Sequence, residues 1–379
     1  MVHAASRHVA SVNPGAGAWL LEGQRLEARE DVESLRKSIS AYDRGLALLG
    51  HVDLSTGIAR AILWMNRGNA SQRAGGPRGF SEAIRCYDLA IVDFERAFGF
   101  PSAKGSVSPH CESQIEEHAG IDPVMLNALG AAWMNRGVAL QQVRGRDNLE
   151  AAVSSHERAI EVLSLLPIDG DPAYRRNLGA AFLNLADALV DLPANEGSDR
   201  AANAARYSLH LTEARADSEE GFAGLNLKAR RALIVALGGA MCQSDGNSGN
   251  QETLASEVRD CIEGGLNLAR HWRLKSCDRF LHLEARLFRL GCHFLRIHHA
   301  QELGRFVREI LKDTQGAFHE ELKAIGAEAI QAALETMGRA PVQSSDFANS
   351  MLQVRVLREL RETQRWLGQS QQAPALSVV

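Results

Sequence analysis

The pentapeptide Trp64-Met65-Asn66-Arg67-Gly68 returns as Trp133-Met134-Asn135-Arg136-Gly137. In each copy an alanine follows the glycine by fifteen residues (Ala83, Ala152), a ring residue comes four later (Tyr87, His156), and another alanine comes three after that (Ala90, Ala159). A duplication at fixed spacing predicts stacked helical hairpins, because a single hairpin cannot bury its own apolar face.

Weaker copies keep the spacing. One is Trp19, Gly23, Ser38, Tyr42 and Gly45; another is Phe182, Ala186, Ala201, Ala205 and Ser208. A fifth, degenerate copy runs from Leu233 to Met241, through the Gly246–Asn250 loop, to Glu257, Cys261 and Gly264. In the clearest copy, residues 61–73 read as one helix, Gly75 to Gly79 as a break, and residues 81–98 as a second helix with Ser81 as N-cap. The small glycine and alanines let the two helices approach, and Trp64 and Tyr87 fill the remaining volume. Asp122-Pro123 and Asp171-Pro172 each place a capping carboxylate before a proline, which predicts helix starts there.

The pattern Trp64/Gly68/Ala83/Tyr87/Ala90, and its echo Trp133/Gly137/Ala152/His156/Ala159, resembles the tetratricopeptide repeat family. The resemblance covers roughly residues 17–270 and is strongest at 61–97 and 127–166. It implies an all-α fold, a right-handed alpha-alpha superhelix of about five hairpins, and no enzymatic activity. Two departures stand out. The positions Gly23, Gly68, Gly137 and Ala186 are 45, 69 and 49 residues apart, against a family period of about 34. An irregular solenoid with long helices is therefore expected. The residue before the glycine is Arg67 or Arg136 rather than leucine; a guanidinium there must pair or snorkel.

At 379 residues the chain is either two domains or one elongated array. A formal net charge of −4 gives no global attraction for nucleic acid. The six cysteines lie far apart without a C-x-x-C, which suits buried free thiols in a reducing compartment. No signal peptide and no apolar run long enough to span a membrane are evident, and a cytoplasmic location is expected. The segment 99–121 reads as an inserted surface loop, 271–369 as a helical cap with helices near 276–298, 301–313, 315–338 and 346–368, and 1–16 and 370–379 as flexible termini. Gly338 to Pro341 reads as a helix stop, and Ser344 or Ser345 as the cap of the last helix.

By the same resemblance, a partner protein or peptide binds the groove lined by the first helix of each hairpin. The residues placed there are Met65, Asn69, Gln72 and Arg73, then Met134, Val138, Gln141 and Gln142, then Leu183, Asp187 and Asp191. Amides and charges hydrogen-bond a peptide backbone, and methionine adapts to apolar side chains. One subgroup of the family grips a C-terminal carboxylate with lysines and asparagines on this face. Asn69 matches one such asparagine, but Gln24, Val138 and Asp187 do not, so that clamp is not expected. Asn66, Asn135 and Asn184 share one position and read as structural rather than as a ligand ladder.

Cys292, His293, His298 and His299 are spread around their helix, and His110, Cys111 and His118 are no better placed, so no metal is expected. Arg355, Arg358, Arg361 and Arg365, interspersed with Glu359 and Glu362, read as a solvated face. No catalytic or cofactor-binding motif is found. The chain reads as a scaffold or adaptor. The rival is a regulator gated by a peptide or small ligand, which would compact when the ligand binds.

Overall fold

The computed structural model describes residues 2–50, 53–100, 121–243, 248–275, 279–339 and 347–369. Among them are fifteen α-helices and no strand. The chain forms two compact units, Met1–Thr212 and Glu213–Val379.

In the first unit α1 (Val2–Val12) precedes four hairpins: α2 (Pro14–Glu27) with α3 (Val32–Ala47), α4 (Leu54–Ala74) with α5 (Gly76–Phe98), α6 (Pro123–Val143) with α7 (Arg146–Ser164), and α8 (Pro172–Val190) with α9 (Ala194–Ala216). The starts are set by side-chain caps. Asn13 accepts from the Ala16 N–H at 3.0 Å, Asp31 from Ser34 at 2.8 Å and Asp53 from Thr56 at 2.7 Å. Asp122 and Asp171 cap α6 and α8 as the sequence predicts, accepting from Val124 at 2.8 Å and Ala173 at 2.7 Å ahead of a proline that needs no partner.

The turn between α4 and α5 differs from the sequence expectation. Helix α5 begins at Gly76, not Ser81, whose hydroxyl instead donates to the Pro77 carbonyl at 2.9 Å inside the helix. Gly75 and Gly76 both adopt φ of +73°, so one residue reverses the chain. Arg144 and Gly145, with φ of 62° and 91°, make the matching turn between α6 and α7. A helix also occupies the predicted flexible N-terminus: Val9 of α1 is fully buried, and α1 packs on α2 and α4.

One continuous core joins Leu20, Tyr42, Ile62, Leu63, Phe94, Leu129, Trp133, Leu163 and Leu178 along this unit. This is the repeat logic in physical form: each hairpin's apolar face is covered by the next. Phe98 and Phe100 pack against the same core. The insert beyond them, including His110, Cys111 and His118, lies outside the described residues, as do Ser344, Ser345 and the 370–379 tail.

The second unit contains α10 (Glu220–Gln243), α11 (Ser248–Leu274), α12 (Arg279–His298), α13 (Ala300–Lys312), α14 (Gly316–Arg339) and α15 (Phe347–Gln369). The last four match the sequence expectation to within a few residues. The last residues of α9, from Glu213, belong to this unit, and there Trp272 donates its indole N–H to the Ala216 carbonyl at 2.8 Å and stacks on Phe280. Glu284, almost fully buried, accepts from Arg273 at 2.7 Å, which ties α12 to α11.

Candidate functional site

The duplicated glycine makes room for a ring. A Cβ added at Gly23 would come within 2.3 Å of the Tyr42 ring, one at Gly68 within 2.7 Å of Tyr87, and one at Gly137 within 2.4 Å of His156. All three rings are fully buried. Each then reaches along the first helix to the residue four positions past the glycine. The Tyr42 hydroxyl donates to Glu27 Oε1 at 2.5 Å, Tyr87 donates to Gln72 Oε1 at 2.8 Å, and His156 Nε2 lies 3.2 Å from Gln141 Oε1. Burial drives the His156 pKa down to about 4, so the ring is neutral near pH 7. Burial likewise pushes up the Tyr42, Tyr87 and Glu27 groups. In the fourth hairpin Ala186 and Ala205 stand at the glycine and ring positions, and both are fully buried.

The unusual arginines resolve as staples between hairpins. Arg67 Nε donates to Asp43 of the preceding hairpin at 2.6 Å, and Arg136 Nε donates to Asp88 at 2.6 Å. The other arm of each turns into its own hairpin: Arg67 to Glu82 and Cys86, Arg136 to Ser155. Arg85 and Arg67 hold the Glu82 carboxyl down at about 2. Each arginine also lies over the tryptophan of its own repeat, 5.7 Å from the ring centroid.

The expected groove residues divide into two groups. Those of the second hairpin are engaged inside the protein. Asn69 Oδ1 accepts from Asn135 Nδ2 at 3.0 Å and lies 2.9 Å from the Tyr87 hydroxyl, whose one proton it shares with Gln72. Gln72 is bonded to Tyr87, and Arg73 pairs with Glu30 at 3.0 Å and Glu27 at 3.4 Å. Met65 is half-buried against the core, Met134 is buried in it, and Leu183 is also buried. None of these methionine or leucine side chains is an open apolar contact.

The remaining residues come together. Val138, Gln141, Gln142, Asp187 and Asp191 line one open concavity of about 630 Å³ between α6, α7 and α8, completed by Asn184, Arg144 and Leu149. Asp187 on α8 and Asp191 at its C-cap stand one turn apart and share the lining with Gln141 on α6 and Arg144 at its C-cap. The sequence reading missed Arg144 and Leu149. Their signal was Gly145, which follows the C-cap Arg144 of α6 and is itself the N-cap of α7.

Asn66 and Asn135 are used internally, Asn66 donating to the Ile62 carbonyl at 2.7 Å and Asn135 to Asn69, whereas Asn184 faces the concavity. In the second unit His298 and His299 border a separate 440 Å³ concavity with Arg259, Glu252 and Ser256. Cys292 is buried and its thiol is pushed up by desolvation. Among the described residues no three potential metal ligands converge. Arg355, Arg358, Arg361 and Arg365 are exposed on α15, while Glu359 accepts from Arg308 at 3.3 Å. No described helix is long and apolar enough to cross a membrane.

These features define an all-α protein of stacked helical hairpins. No protein-family model and no curated protein matches the chain. Among solved structures it is similar to the S. pombe nuclear import adaptor Nro1, at 11% identity and a TM-score of 0.43 over 94% of this chain and 99% of that one. A circular tandem repeat protein is similar at 12% identity and a TM-score of 0.34 over 94% of this chain and 84% of that one. Neither likeness reaches the level at which a function carries over.

Proposed function

We propose that the chain is a non-enzymatic scaffold or adaptor of tetratricopeptide-like hairpins, working in the cytoplasm, and that a protein partner docks one segment in the concavity between α6 and α8. The observation that supports this is the division of the groove residues. Positions that are closed by internal bonds in the second hairpin border, in the third and fourth, an open space of about 630 Å³, even though Gln141 keeps the internal contact to His156 that Gln72 makes to Tyr87. That space suits a few side chains of an extended segment, and its amides and carboxylates supply directional bonds. The rival reading, a regulator gated by a small ligand, uses the same space but requires compaction on binding.

Native affinity purification with mass spectrometry, run beside Asp187→Lys/Asp191→Lys, tests the proposal. A stoichiometric protein that disappears from the double variant supports it. A partner retained at full stoichiometry contradicts the placement. Small-angle scattering of the complex separates the readings: an unchanged radius of gyration fits a scaffold, and a compacted one fits a gated regulator.

A further inference from the structure

Helix α12 of the second unit buries one face and leaves the other with charge of a single sign. Its basic residues Arg279, His282, Arg286, Arg289, His293 and Arg296 step along the chain by 3, 4, 3, 4 and 3. A step that averages half a heptad keeps them in one row about 26 Å long. The first five are exposed and Arg296 is half-buried. The helix carries one carboxylate, Glu284, which is buried away from the row and held by Arg273.

Little on the protein neutralises this row. Arg279 pairs with Glu220 at one end. Near the other end Arg296 donates to His293 Nδ1 at 3.2 Å rather than to a carboxylate. Among the described residues Arg286 and Arg289 have no hydrogen bond or ion pair. Burial holds the His298 imidazole below its usual range, and the nearby His299 and His293 push it the same way, as a patch short of carboxylates does. An aliphatic edge runs beside the row. Leu283, Leu290 and Ile297 recur every seven residues, the first two half-buried and Ile297 57% exposed.

We propose that this face of α12 docks an acidic amphipathic helix of a partner protein, its carboxylates on Arg286, Arg289 and Arg296 and its aliphatic residues on Leu283, Leu290 and Ile297. This is a second surface, independent of the concavity between α6 and α8. Charge and spacing together select the occupant. A helix laid along α12 presents carboxylates at the same three-and-four step, about 5 Å of rise apart, so each meets a guanidinium. Its apolar residues at every seventh place cover the aliphatic edge. A phosphate backbone would satisfy the arginines but leave that edge in water, and the net charge of −4 gives it no wider attraction. A basic helix would face like charges.

The test is a selection on the full-length chain from a phage library that displays a single helix with one face randomised. The expected outcome is enrichment of helices whose glutamates or aspartates step by three and four, and which bind Arg286→Glu/Arg289→Glu about tenfold more weakly. Both arginines are exposed, so this variant should keep the wild-type urea midpoint. Should the midpoint fall, Arg286→Gln/Arg289→Gln provides a second route, with about fivefold weaker binding expected and unchanged affinity contradicting the proposal. Enriched helices with no three-and-four acidic step overturn the proposed occupant. Helices that bind wild type and variant equally, or no enrichment at all, overturn the site. Oligothymidylate or phosphatidylserine vesicles that bind more tightly than the selected helix, and lose that binding in the variant, assign the row to phosphate groups and overturn the helical partner. Asp187→Lys/Asp191→Lys should bind the selected helix as wild type does, and a loss there would contradict a surface separate from the concavity.

Discussion

The junction between the first and second hairpins and the junction between the third and fourth use the same repeat positions in opposite ways. At the first, Arg73 reaches back to Glu27 and Glu30, and Asn69 and Gln72 are held by Tyr87. At the second, Gln142, Asp187 and Asp191 border open space, and Gln141 is tied inward by His156. The lesson is that a repeat position does not fix a side chain's role. What faces it across the junction does. Arg73, paired with Glu27 and Glu30, closes the first junction, whereas Val138, Gln142 and Asp191 border a space of about 630 Å³ at the second.

The comparison breaks hardest at the glycines. Gly137→Val forces a branched side chain into the His156 ring, already within 2.4 Å of a bare Cβ, and should cost about 3 kcal/mol. Urea unfolding measures this, and an unchanged midpoint would mean that the ring does not sit there. Acid comes next. The folded-state pKa of His156 is depressed from 6.5 to about 4, so the unfolded chain binds a proton that the folded chain refuses. Stability should therefore fall by up to about 3 kcal/mol as pH drops from about 6.5 to 4, and His156→Tyr should remove that component. A second loss belongs to Glu82, whose depressed pKa makes its contribution present above about 4.5 and lost as pH falls toward 2. An identical pH profile in His156→Tyr would contradict the buried neutral ring.

Arg67→Ala removes a staple whose side chain is only 12% exposed, which leaves Asp43 without its arginine and Glu82 with Arg85 alone. A loss of about 2 kcal/mol is expected, larger than for Arg136→Ala, whose side chain is 23% exposed. Equal losses would show that the second acidic partner, Glu82, adds nothing. The smallest effect is a gain. Gly224 in α10 has open space around it, so Gly224→Ala should stabilise by about 0.5–1 kcal/mol, and a loss would mean that this helix is packed more closely than the open space implies.

Much of this was legible from spacing. The ring nineteen residues past the glycine, the caps at Asp122 and Asp171, and the demand that Arg67 and Arg136 find partners all follow from local chemistry. Two things did not follow. The start of α5 was hidden because Gly75 and Gly76 read equally well as a long break or as a one-residue reversal, and only φ decides between them. The division of the groove residues was hidden because it depends on contacts between hairpins. Nothing near Arg73 in sequence announces Glu27 and Glu30, and nothing near Gln142 announces Asp187. Met134 was assigned to the groove by its repeat position, yet it is buried in the core that also holds Leu129, Trp133 and Leu163.

The most direct measurement compares two double variants, Asn69→Ala/Gln72→Ala and Asp187→Asn/Asp191→Asn, for urea midpoint and for affinity toward the partner recovered by native affinity purification. The first should unfold at lower urea and bind within twofold of wild type. The second should keep its midpoint and bind at least tenfold more weakly. The reverse pattern, with binding lost at Asn69 and Gln72 and stability lost at Asp187 and Asp191, would show that the closed junction is the working surface and the open one is not.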